Sequence, residues 1–288
     1  MTKSLSLLLS GGLGNQLFQV ASAISLSTDL GYELALDTSA FKTYKKHPLL
    51  VSEIFHDIPV RTSAPWFYLS LKESSPSFDH CLLDRLRSLS LFSSSTVVLS
   101  GYLQSLSYFS HYLPSISLRI NDYCDALFST DLVGLRKHLS SALGVHIRRG
   151  DKLSALNQSI YGSSSLQTIK SNIINAFSSS SCDSIVLFGD DPCFLSLVAN
   201  ELNSVIPAVS FPNLSDFSAP LFDIYSLSLC KSLFLSNSTF ALWSAYISKS
   251  KLVFYPFPFY PFPRHESVES HLLEDLILPH WISYDSWF

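Results

Sequence analysis

Charged side chains that could do chemistry stand directly after apolar segments of the chain. GVHIRRGD carries His146, Arg148 and Asp151, and LFGDDP places Asp190 and Asp191 before an apolar helical pattern. A guanidinium matches phosphate oxygens bidentately, so an arginine here either pairs with an acid or binds an anion. The pattern indicates recognition of a phosphorylated ligand, with an ion-pair network as the alternative.

Strand geometry separates the two arginines of this segment. Successive side chains point to opposite faces, so His146 and Arg148 share one face, while Ile147 and Arg149 share the other. Asp151 is placed to pair with Arg149 and hold the strand end rigid.

Two helix starts offer polar groups. Asp190 and Asp191 favour the positive end of a helix dipole, either as caps or as acceptors for the amino and imino groups of guanine. In SNSTF, Ser238 and Thr239 supply hydroxyls and backbone N–H groups at a helix N-terminus. That arrangement suits a phosphate, and simple capping is the alternative.

A glycine-rich turn, SGGLGNQ, lies between the apolar run SLSLLL and a helical pattern. Such a turn holds a phosphate, a dinucleotide or a substrate. Leu17 replaces the third glycine of GxGxxG, but Asp37 mimics the acidic ribose contact of a nicotinamide site. Asn15 and Gln16 carry amides that can donate to a substrate oxygen, and Asn15 can also cap the helix.

The remaining pattern predicts an α/β protein. In the second half, five apolar strands alternate with helices, the last helix in VESHLLEDLIL, which predicts a doubly wound parallel sheet. The first half has strands in SLSLLL, YELALD and TVVLS, a helix ended by Gly31, and a poor pattern over 43–95 except for a short helix in HCLLDRLRSL. We expect an acceptor-side domain over 1–130 and a donor-side domain over 131–288. The linker PFPFYPFPRH would lead the last helix back across. Because ligands bind beyond the carboxyl ends of parallel strands, one cleft between the halves is predicted.

Composition excludes several classes of protein. The 288 residues carry a net charge of −4 and no basic block, so a nucleic-acid partner is not expected. Only 15% of residues are charged, whereas serine makes up about one residue in five. Serine either replaces Lys and Glu on the surface, or it forms a weakly charged face that rests on a membrane or partner.

The cysteines and the N-terminal region bear on location. Five scattered cysteines without a CxxC pair indicate neither a zinc site nor a disulfide framework, and free thiols suit a reducing cytoplasm. The N-terminal apolar run is too short for a membrane span, and no cleavage site follows it. We expect a cytoplasmic protein, with peripheral membrane contact as the alternative. The chain contains no DxD, so a metal ion that bridges two phosphates is not expected, and it contains no P-loop, so phosphates are not held by one. No cofactor is expected.

Taken together, these residues resemble glycosyltransferase family 11, the α-1,2-fucosyltransferases. The resembling segments run from about residue 7 to 262: GGLGNQLFQVASAISL, LALDTSAF, GYLQSLSYF, GVHIRRGD, VLFGDDP, DIYSLSLCKSLFLSNSTFALWSAYIS and KLVFYPFPFY. Residues 43–95 show little resemblance and are interpreted as an acceptor-side insertion.

The resemblance implies a GT-B-like fold with two facing Rossmann-like halves. It also implies GDP-β-L-fucose as donor co-substrate, metal-independent inverting transfer, and an α-linked product on a galactose-ended glycan, lipid-linked or free. The glycine turn, with Gly12 and Gly14, then holds the sugar-phosphate end of the donor. The implied roles are a β-phosphate clamp for Arg148, a guanosine contact for His146, guanine recognition by Asp190 or Asp191, pyrophosphate contacts for Ser238 and Thr239, closure near the reacting carbon by Asn15, and a candidate base in Asp151.

Two other functions stay open at this point. A nicotinamide-dependent oxidoreductase would use the glycine turn and Asp37, but it leaves HIRRGD and SNSTF without a role. A catalytically inactive nucleotide-sugar binding module would fit two departures from the family pattern. Lys152 stands where the family often has an aromatic residue, and STFALW keeps only Trp243 of a tryptophan-rich motif.

Overall fold

The computed structural model describes residues 3–75, 77–91, 96–149, 165–211, 219–257 and 275–285. These residues form an α/β protein with two sheets of parallel strands. The chain divides into two compact units, residues 1–120 with 274–276, and residues 121–273 with 277–288. The long segment of the first unit thus ends at residue 120, inside a helix, whereas the sequence prediction placed the domain boundary at residue 130.

The first unit contains a five-stranded sheet. Its strands are β1 (Ser4–Leu8), β2 (Glu33–Asp37), β3 (Val60–Arg61), β4 (Leu69–Lys72) and β5 (Thr96–Ser100), in the order β3-β2-β1-β5-β4. Its helices are α1 (Leu13–Leu30), α2 (Val51–Ile54) and α3 (His80–Ser90), and α4 (Leu113–Leu127) continues into the second unit. Short 3₁₀ turns lie at Ser39–Lys42 and Leu106–Tyr108. As predicted, α1 ends at Gly31, whose φ of +69° is the left-handed conformation that favours glycine.

The second unit contains a six-stranded sheet. Its strands are β6 (Ala142–Ile147), β7 (Ser184–Gly189), β8 (Ala208–Ser210), β9 (Ser232–Phe234), β10 (Val253–Phe257) and β11 (Ile282–Asp285), in the order β11-β10-β9-β6-β7-β8. Its helices are α5 (Leu135–Leu139), α6 (Leu166–Ser179), α7 (Pro192–Leu202), α8 (Ala219–Ser228) and α9 (Thr239–Ile247).

Strand β6 is buried on both faces along its whole length. Val145 and Ile147 belong to the core cluster that includes Ile173 of α6 and Leu195 of α7. On the opposite face, Gly144 lies so close to α8 that a Cβ there would be 2.7 Å from Leu227 Cδ1. Because both faces of the sheet are covered by helices, its strands are near-continuous apolar runs, which is why their positions could be predicted.

The sequence prediction missed six elements and misjudged one region. The missed elements are α2, α4, α5, β3, β4 and β11. Helix α4 carried a sequence signal, because Ile116, Ile120 and Cys124 repeat at helical spacing and are all buried, whereas α2 and α5 have only four and five residues. The three strands are short and mostly exposed, so they lack an apolar alternation. Residues 43–95 are not an insertion, since β3 and β4 form the two edges of the first sheet.

Three further expectations concern the rest of the chain. The first two residues of the expected linker, Pro256 and Phe257, belong to β10, and the rest of the linker lies outside the described residues. Most of the expected last helix also lies outside them, and its end at 275–278 is not helical. All five cysteines are free thiols. Surface serines of the helices, such as Ser178 and Ser196, donate to the carbonyl one turn earlier, which satisfies the hydroxyl locally and requires no partner surface.

We predict that Gly189→Ala destabilises the protein by about 1–3 kcal/mol, because a Cβ there would lie 2.2 Å from the carbonyl oxygen of Ile147 and force apart β6 and β7. The matched control is Gly134→Ala, where nothing lies within 4 Å of the added Cβ. This control should leave stability unchanged or slightly raised. Urea unfolding of both variants checks the prediction, and equal midpoints would contradict it.

Candidate active site

Both sheets reverse the direction in which strands are added. In the second unit, β7 and β8 extend the sheet on one side of β6, and β9 to β11 extend it on the other. In the first unit, β2 and β3 lie on one side of β1, and β5 lies on the other. Ligands of open parallel sheets bind beyond the carboxyl ends of the strands at such a reversal. A ligand is therefore expected beside the loops that follow β6 and β9 in the second sheet, and β1 and β5 in the first.

His146 lies near the end of β6 and bridges the reversal of the second sheet. Its Nδ1 is 2.7 Å from the hydroxyl of Ser236, which follows β9. Its ring stacks on Phe240 of α9 at 5.3 Å between centroids, and only 4% of the residue is exposed. The imidazole is thus fixed in position by the adjacent strand and helix.

Arg148 follows β6 and forms an ion pair with Asp190, which follows β7. The distance from Arg148 Nη1 to Asp190 Oδ2 is 3.1 Å, and each side chain is about a quarter exposed. Asp190 Oδ1 also accepts a hydrogen bond of 2.8 Å from the backbone N–H of Arg149. One carboxylate therefore joins the ends of β6 and β7 and orients the guanidinium of Arg148.

Arg149 has different surroundings, as the strand alternation predicted. Its guanidinium carbon lies 3.8 Å from the ring centroid of Phe194 on α7, and its Nη1 is 3.9 Å from Asp191 Oδ2. Asp191 is the N-cap of α7, where Oδ1 accepts from the N–H of Phe194 at 3.0 Å. This arginine is packed on a helix, whereas Arg148 lies at the strand end with Asp190.

Helix α9 begins beside these groups, after β9, the neighbour of β6. Ser238 is its N-cap residue and has extended backbone geometry, but its side chain makes no capping hydrogen bond. The first N–H groups of a helix have no partner within it, and together with the helix dipole they attract anions. Ser238 and Thr239 thus lie at a helix start that suits a phosphate.

The glycine turn of the first unit lies beyond β1. Gly12 is the N-cap of α1, Gly14 is buried in its first turn, and Gly11 has a φ of +81°. A Cβ on Gly11 would lie 2.9 Å from Asn15 Nδ2, so the turn leaves room for that amide. Asn15 Oδ1 accepts from Gln104 Nε2 at 3.0 Å, which links the loops after β1 and β5 across the second reversal.

Comparison with known proteins identifies the family. The family description "Glycosyl transferase family 11" matches residues 6–284. The chain belongs to glycosyl transferase family 11. It is similar to an alpha-1,2-colitosyltransferase of Escherichia coli, with 26% identity over 274 residues that cover 85% of this chain and 87% of that protein.

Solved structures show that this family 11 chain has a GT-B-type α/β fold. Fucosyltransferase NodZ from Bradyrhizobium has a TM-score of 0.50 at 17% identity, covering 86% of this chain and 93% of that one. POFUT1 in complex with GDP has a TM-score of 0.51 at 13% identity, covering 86% and 96%. A variant of Arabidopsis thaliana FUT1 in complex with GDP has a TM-score of 0.52 at 12% identity, covering 87% and 70%. The family and the fold that the sequence resembled are confirmed.

Gln16 of this family 11 chain does not match its sequence interpretation. It is fully buried, and its Nε2 donates to the carbonyls of Gly11 and Pro48 at 2.9 and 2.8 Å. Its Oε1 accepts from the N–H of Leu50 at 3.2 Å. Because these bonds use the amide within the protein, Gln16 shapes the turn and does not donate to a substrate.

Other predictions are not decided by the geometry. Asp151 and Lys152 lie outside the described residues, so the base stays a prediction. Within the described ranges, no group of three or more His, Cys, Asp or Glu side chains could hold a metal ion. In the same part of the chain, no helix has the length and apolar character needed to cross a membrane.

Asp223 is a polar group that the sequence analysis quoted but gave no role. It lies on α8, which packs against α9, and its Oδ1 is buried without a hydrogen-bond partner among the described residues. Burial raises the pKa of Asp223 to about 7. A lone acid in an otherwise apolar and serine-rich helix was the sequence signal that could have revealed it.

We predict that Asp223→Asn changes how stability depends on pH. An ordinary aspartate has a pKa of about 4, so between about pH 4 and 7 the folded protein binds more protons at Asp223 than the unfolded chain does. The contribution of protonated Asp223 to the free energy of unfolding is therefore present at low pH and is lost as the pH rises toward 7. The Tm of the variant should exceed that of the wild type at pH 8, and the difference should shrink at pH 5. A difference that is the same at both pH values would contradict the assignment.

Proposed function

We propose that this protein transfers L-fucose from GDP-β-L-fucose, with inversion, to a hydroxyl of a galactose-containing glycan, forming an α-1,2 linkage. The observation that carries the proposal is the placement of Arg148. This arginine is oriented by Asp190 at the reversal of the second sheet, and the neighbouring strand leads into the helix start at Ser238 and Thr239. An oriented guanidinium beside a helix N-terminus is suited to a pyrophosphate.

In this proposal, the second unit binds the GDP part of the donor. Arg148 contacts the β-phosphate, while the hydroxyls and N–H groups at Ser238 and Thr239 contact the pyrophosphate. His146, fixed by Ser236 and Phe240, lies on the guanosine side. Guanine recognition is assigned to Asp190. Both of its oxygens already accept hydrogen bonds, but each carboxylate oxygen has two lone pairs and can accept another donor.

The reaction makes one bond as it breaks another. The acceptor oxygen bonds to C1 of fucose from the face opposite the pyrophosphate, and the C1–O bond breaks with its electron pair on the phosphate oxygen. The acceptor proton passes to a base, for which Asp151 is the candidate from the family resemblance. Arg148 stabilises the charge that develops on the departing GDP, and this preorganised positive charge is the main catalytic device. Attack from the opposite face converts the β-linked donor into an α-linked product.

The first unit is assigned to the acceptor side and to the sugar end of the donor. Asn15 is the residue that the family resemblance marks for contact near the reacting carbon, with Gly12 and Gly14 in the same turn. Asp37 does not support the nicotinamide alternative. It is only 1% exposed, and its Oδ1 accepts from the N–H of Ser39 at 2.8 Å, so its carboxylate is used inside the protein.

The relatives indicate which donors and linkages to compare. The Escherichia coli relative is named for an α-1,2 linkage and for colitose, a sugar that differs from L-fucose by lacking the 3-hydroxyl. A NodZ structure is described as an α-1,6-fucosyltransferase. The α-1,2 proposal follows the sequence relative and the motif resemblance, and GDP-colitose is the second donor to test.

The donor and metal requirements are tested in one assay. We expect GDP to raise the Tm, with UDP, ADP and NAD giving little shift. GDP-fucose with a galactose-ended acceptor should yield an α-1,2-fucoside by NMR, and EDTA should leave the rate largely unchanged. Loss of activity in EDTA that Mn²⁺ restores would refute metal independence. Stabilisation by GDP without transfer from GDP-fucose or GDP-colitose would identify an inactive binding module.

The phosphate clamp is tested by a matched pair of arginine variants. Arg148→Lys keeps the charge but loses the planar fork, so kcat should fall by at least about a hundredfold while the Tm without donor changes little. Arg149→Lys loses the stack on Phe194 and should lower the Tm with milder kinetic damage. Melting curves and rates at saturating GDP-fucose decide the matter. If Arg148→Lys keeps most of its kcat, or melts as far below wild type as Arg149→Lys, the clamp assignment is wrong.

A further inference from the structure

The loop 101–104, which follows β5, has an unusual backbone. Gly101 has a φ of +149°, and Leu103 has a φ of +52°, the one positive φ at a residue other than glycine among the described residues. Leu103 is also completely buried. A bulky residue in the left-handed region is strained, and such strain persists only where the surrounding structure determines the conformation.

Glu73, directly after β4, holds this loop from one side. Its Oε2 accepts from the backbone N–H groups of Tyr102 and Leu103, both at 2.9 Å. Burial raises the pKa of the Glu73 carboxyl, with repulsion from Asp79 adding to the effect. Gly101 makes room for Glu73, since a Cβ there would lie 2.4 Å from Glu73 Cβ. A buried carboxylate is costly unless hydrogen bonds compensate it. Both backbone N–H groups that donate to Oε2 belong to the strained loop, and the Tyr108 hydroxyl is a further side-chain partner of this carboxyl group.

Helix α1 holds the same loop from the other side. Gln19 Nε2 donates to the carbonyl of Gly101 at 2.9 Å, and Gln19 Oε1 accepts from the N–H of Ser10 at 3.1 Å. Ser22 Oγ donates to the carbonyl of Leu103 at 3.1 Å. Gln19 and Ser22 are both fully buried. The loop after β5 is therefore fixed to the helix that carries Asn15.

The loop ends by placing Gln104 against Asn15. Gln104 Nε2 donates to Asn15 Oδ1 at 3.0 Å, while Asn15 Nδ2 lies next to Gly11. An amide can rotate by half a turn and exchange its oxygen and nitrogen. Gln104 Nε2 is the donor in this bond, so the Asn15 oxygen faces Gln104 and the Asn15 nitrogen faces away. Turning the Asn15 amide alone would place two donors against each other, so the two amides keep this arrangement unless both turn together.

We propose that Glu73 and Gln104 are positioning residues that set the amide orientation of Asn15. Gln104 does so directly, and Glu73 acts through the loop 101–104. The inference rests on the proposed function, because it assigns Asn15 a role in transfer. The inference also states a requirement for transfer: the side-chain NH₂ group of Asn15 must face away from Gln104.

A kinetic cycle tests the effect on transfer. Gln104→Met keeps the side-chain length but removes the donor, so kcat should fall by about tenfold while the Kd for GDP stays within about twofold. Added to Asn15→Ala, the same substitution should change kcat by less than about twofold, because it acts through Asn15. Glu73→Gln keeps an acceptor oxygen for the loop and should retain more activity than Glu73→Leu. If the double variant instead loses kcat by the product of the two single losses, the proposal is overturned.

Tyr32→Phe is the matched control for loss of a buried hydrogen bond elsewhere in the first unit. The Tyr32 hydroxyl donates to the carbonyl of Leu86 at 3.2 Å, and Tyr32 precedes β2 at the end of the sheet away from Asn15. This variant should lower the Tm and leave kcat unchanged. If Gln104→Met reduces kcat no more than Tyr32→Phe does at a similar loss of Tm, the positioning role is wrong.

A spectroscopic measurement separates this inference from the proposed function. The side-chain NH₂ signals of Asn15 can be assigned by their absence in Asn15→Ala. They should shift or broaden in Gln104→Met and Glu73→Leu, less in Glu73→Gln, and not in Tyr32→Phe. Unchanged signals in Gln104→Met would overturn the positioning role even in an active enzyme. Shifted signals in a protein that transfers no sugar from any GDP-sugar would support the positioning and refute the proposed function.

Discussion

The parallel register of β6 and β7 is the constraint on which the charged site depends. Ile147 lies beside Gly189, so the next two positions bring Arg148 beside Asp190 and Arg149 beside Asp191. The adjacent positive charges of the two arginines repel each other, but each arginine forms an ion pair with a separate aspartate. The nitrogen–oxygen distances are 3.1 Å for Arg148 and 3.9 Å for Arg149. Partly exposed ion pairs contribute little to stability, so their main consequence is orientation. Asp190 adds a bond to the backbone of Arg149, which fixes the strand end from which Arg148 extends.

Both sheets reverse their strand order beside their first strand, but the side chains at the two reversals differ in chemistry. At the reversal of the second sheet, the linked side chains are an imidazole and a hydroxyl, with an arginine and an aspartate beside them. At the reversal of the first sheet, the linked side chains are the amides of Asn15 and Gln104. Charged groups suit a pyrophosphate, whereas neutral amides suit sugar hydroxyls. This contrast supports assigning the GDP part of the donor to the second unit.

Sequence reasoning named residues that the structure brings together at the strand ends, but it did not predict their pairing. Long apolar runs located β6, β7 and β9, and polar residues after those runs marked the ends that carry the site. The partner of Arg148 follows from strand register, which a single sequence does not specify. Gln16 was misinterpreted for a similar reason. Two of its three partners are backbone groups of Pro48 and Leu50, more than thirty residues away, and backbone groups leave no sequence signal.

Residues 43–95, interpreted from the sequence as an insertion, belong to the fold largely through backbone atoms. Their strands β3 and β4 pair through the backbone, and the contacts to Gln16 also come from backbone atoms. Many sequences can provide such groups if the chain follows the same path. Glu73 contributes through its side chain, because its carboxylate accepts from two N–H groups of a strained loop. Asp79 also acts through its side chain, since it caps α3 and accepts from Ser74. Of these two acids, Glu73 is the one whose constraint reaches Asn15, through the loop 101–104 and Gln104.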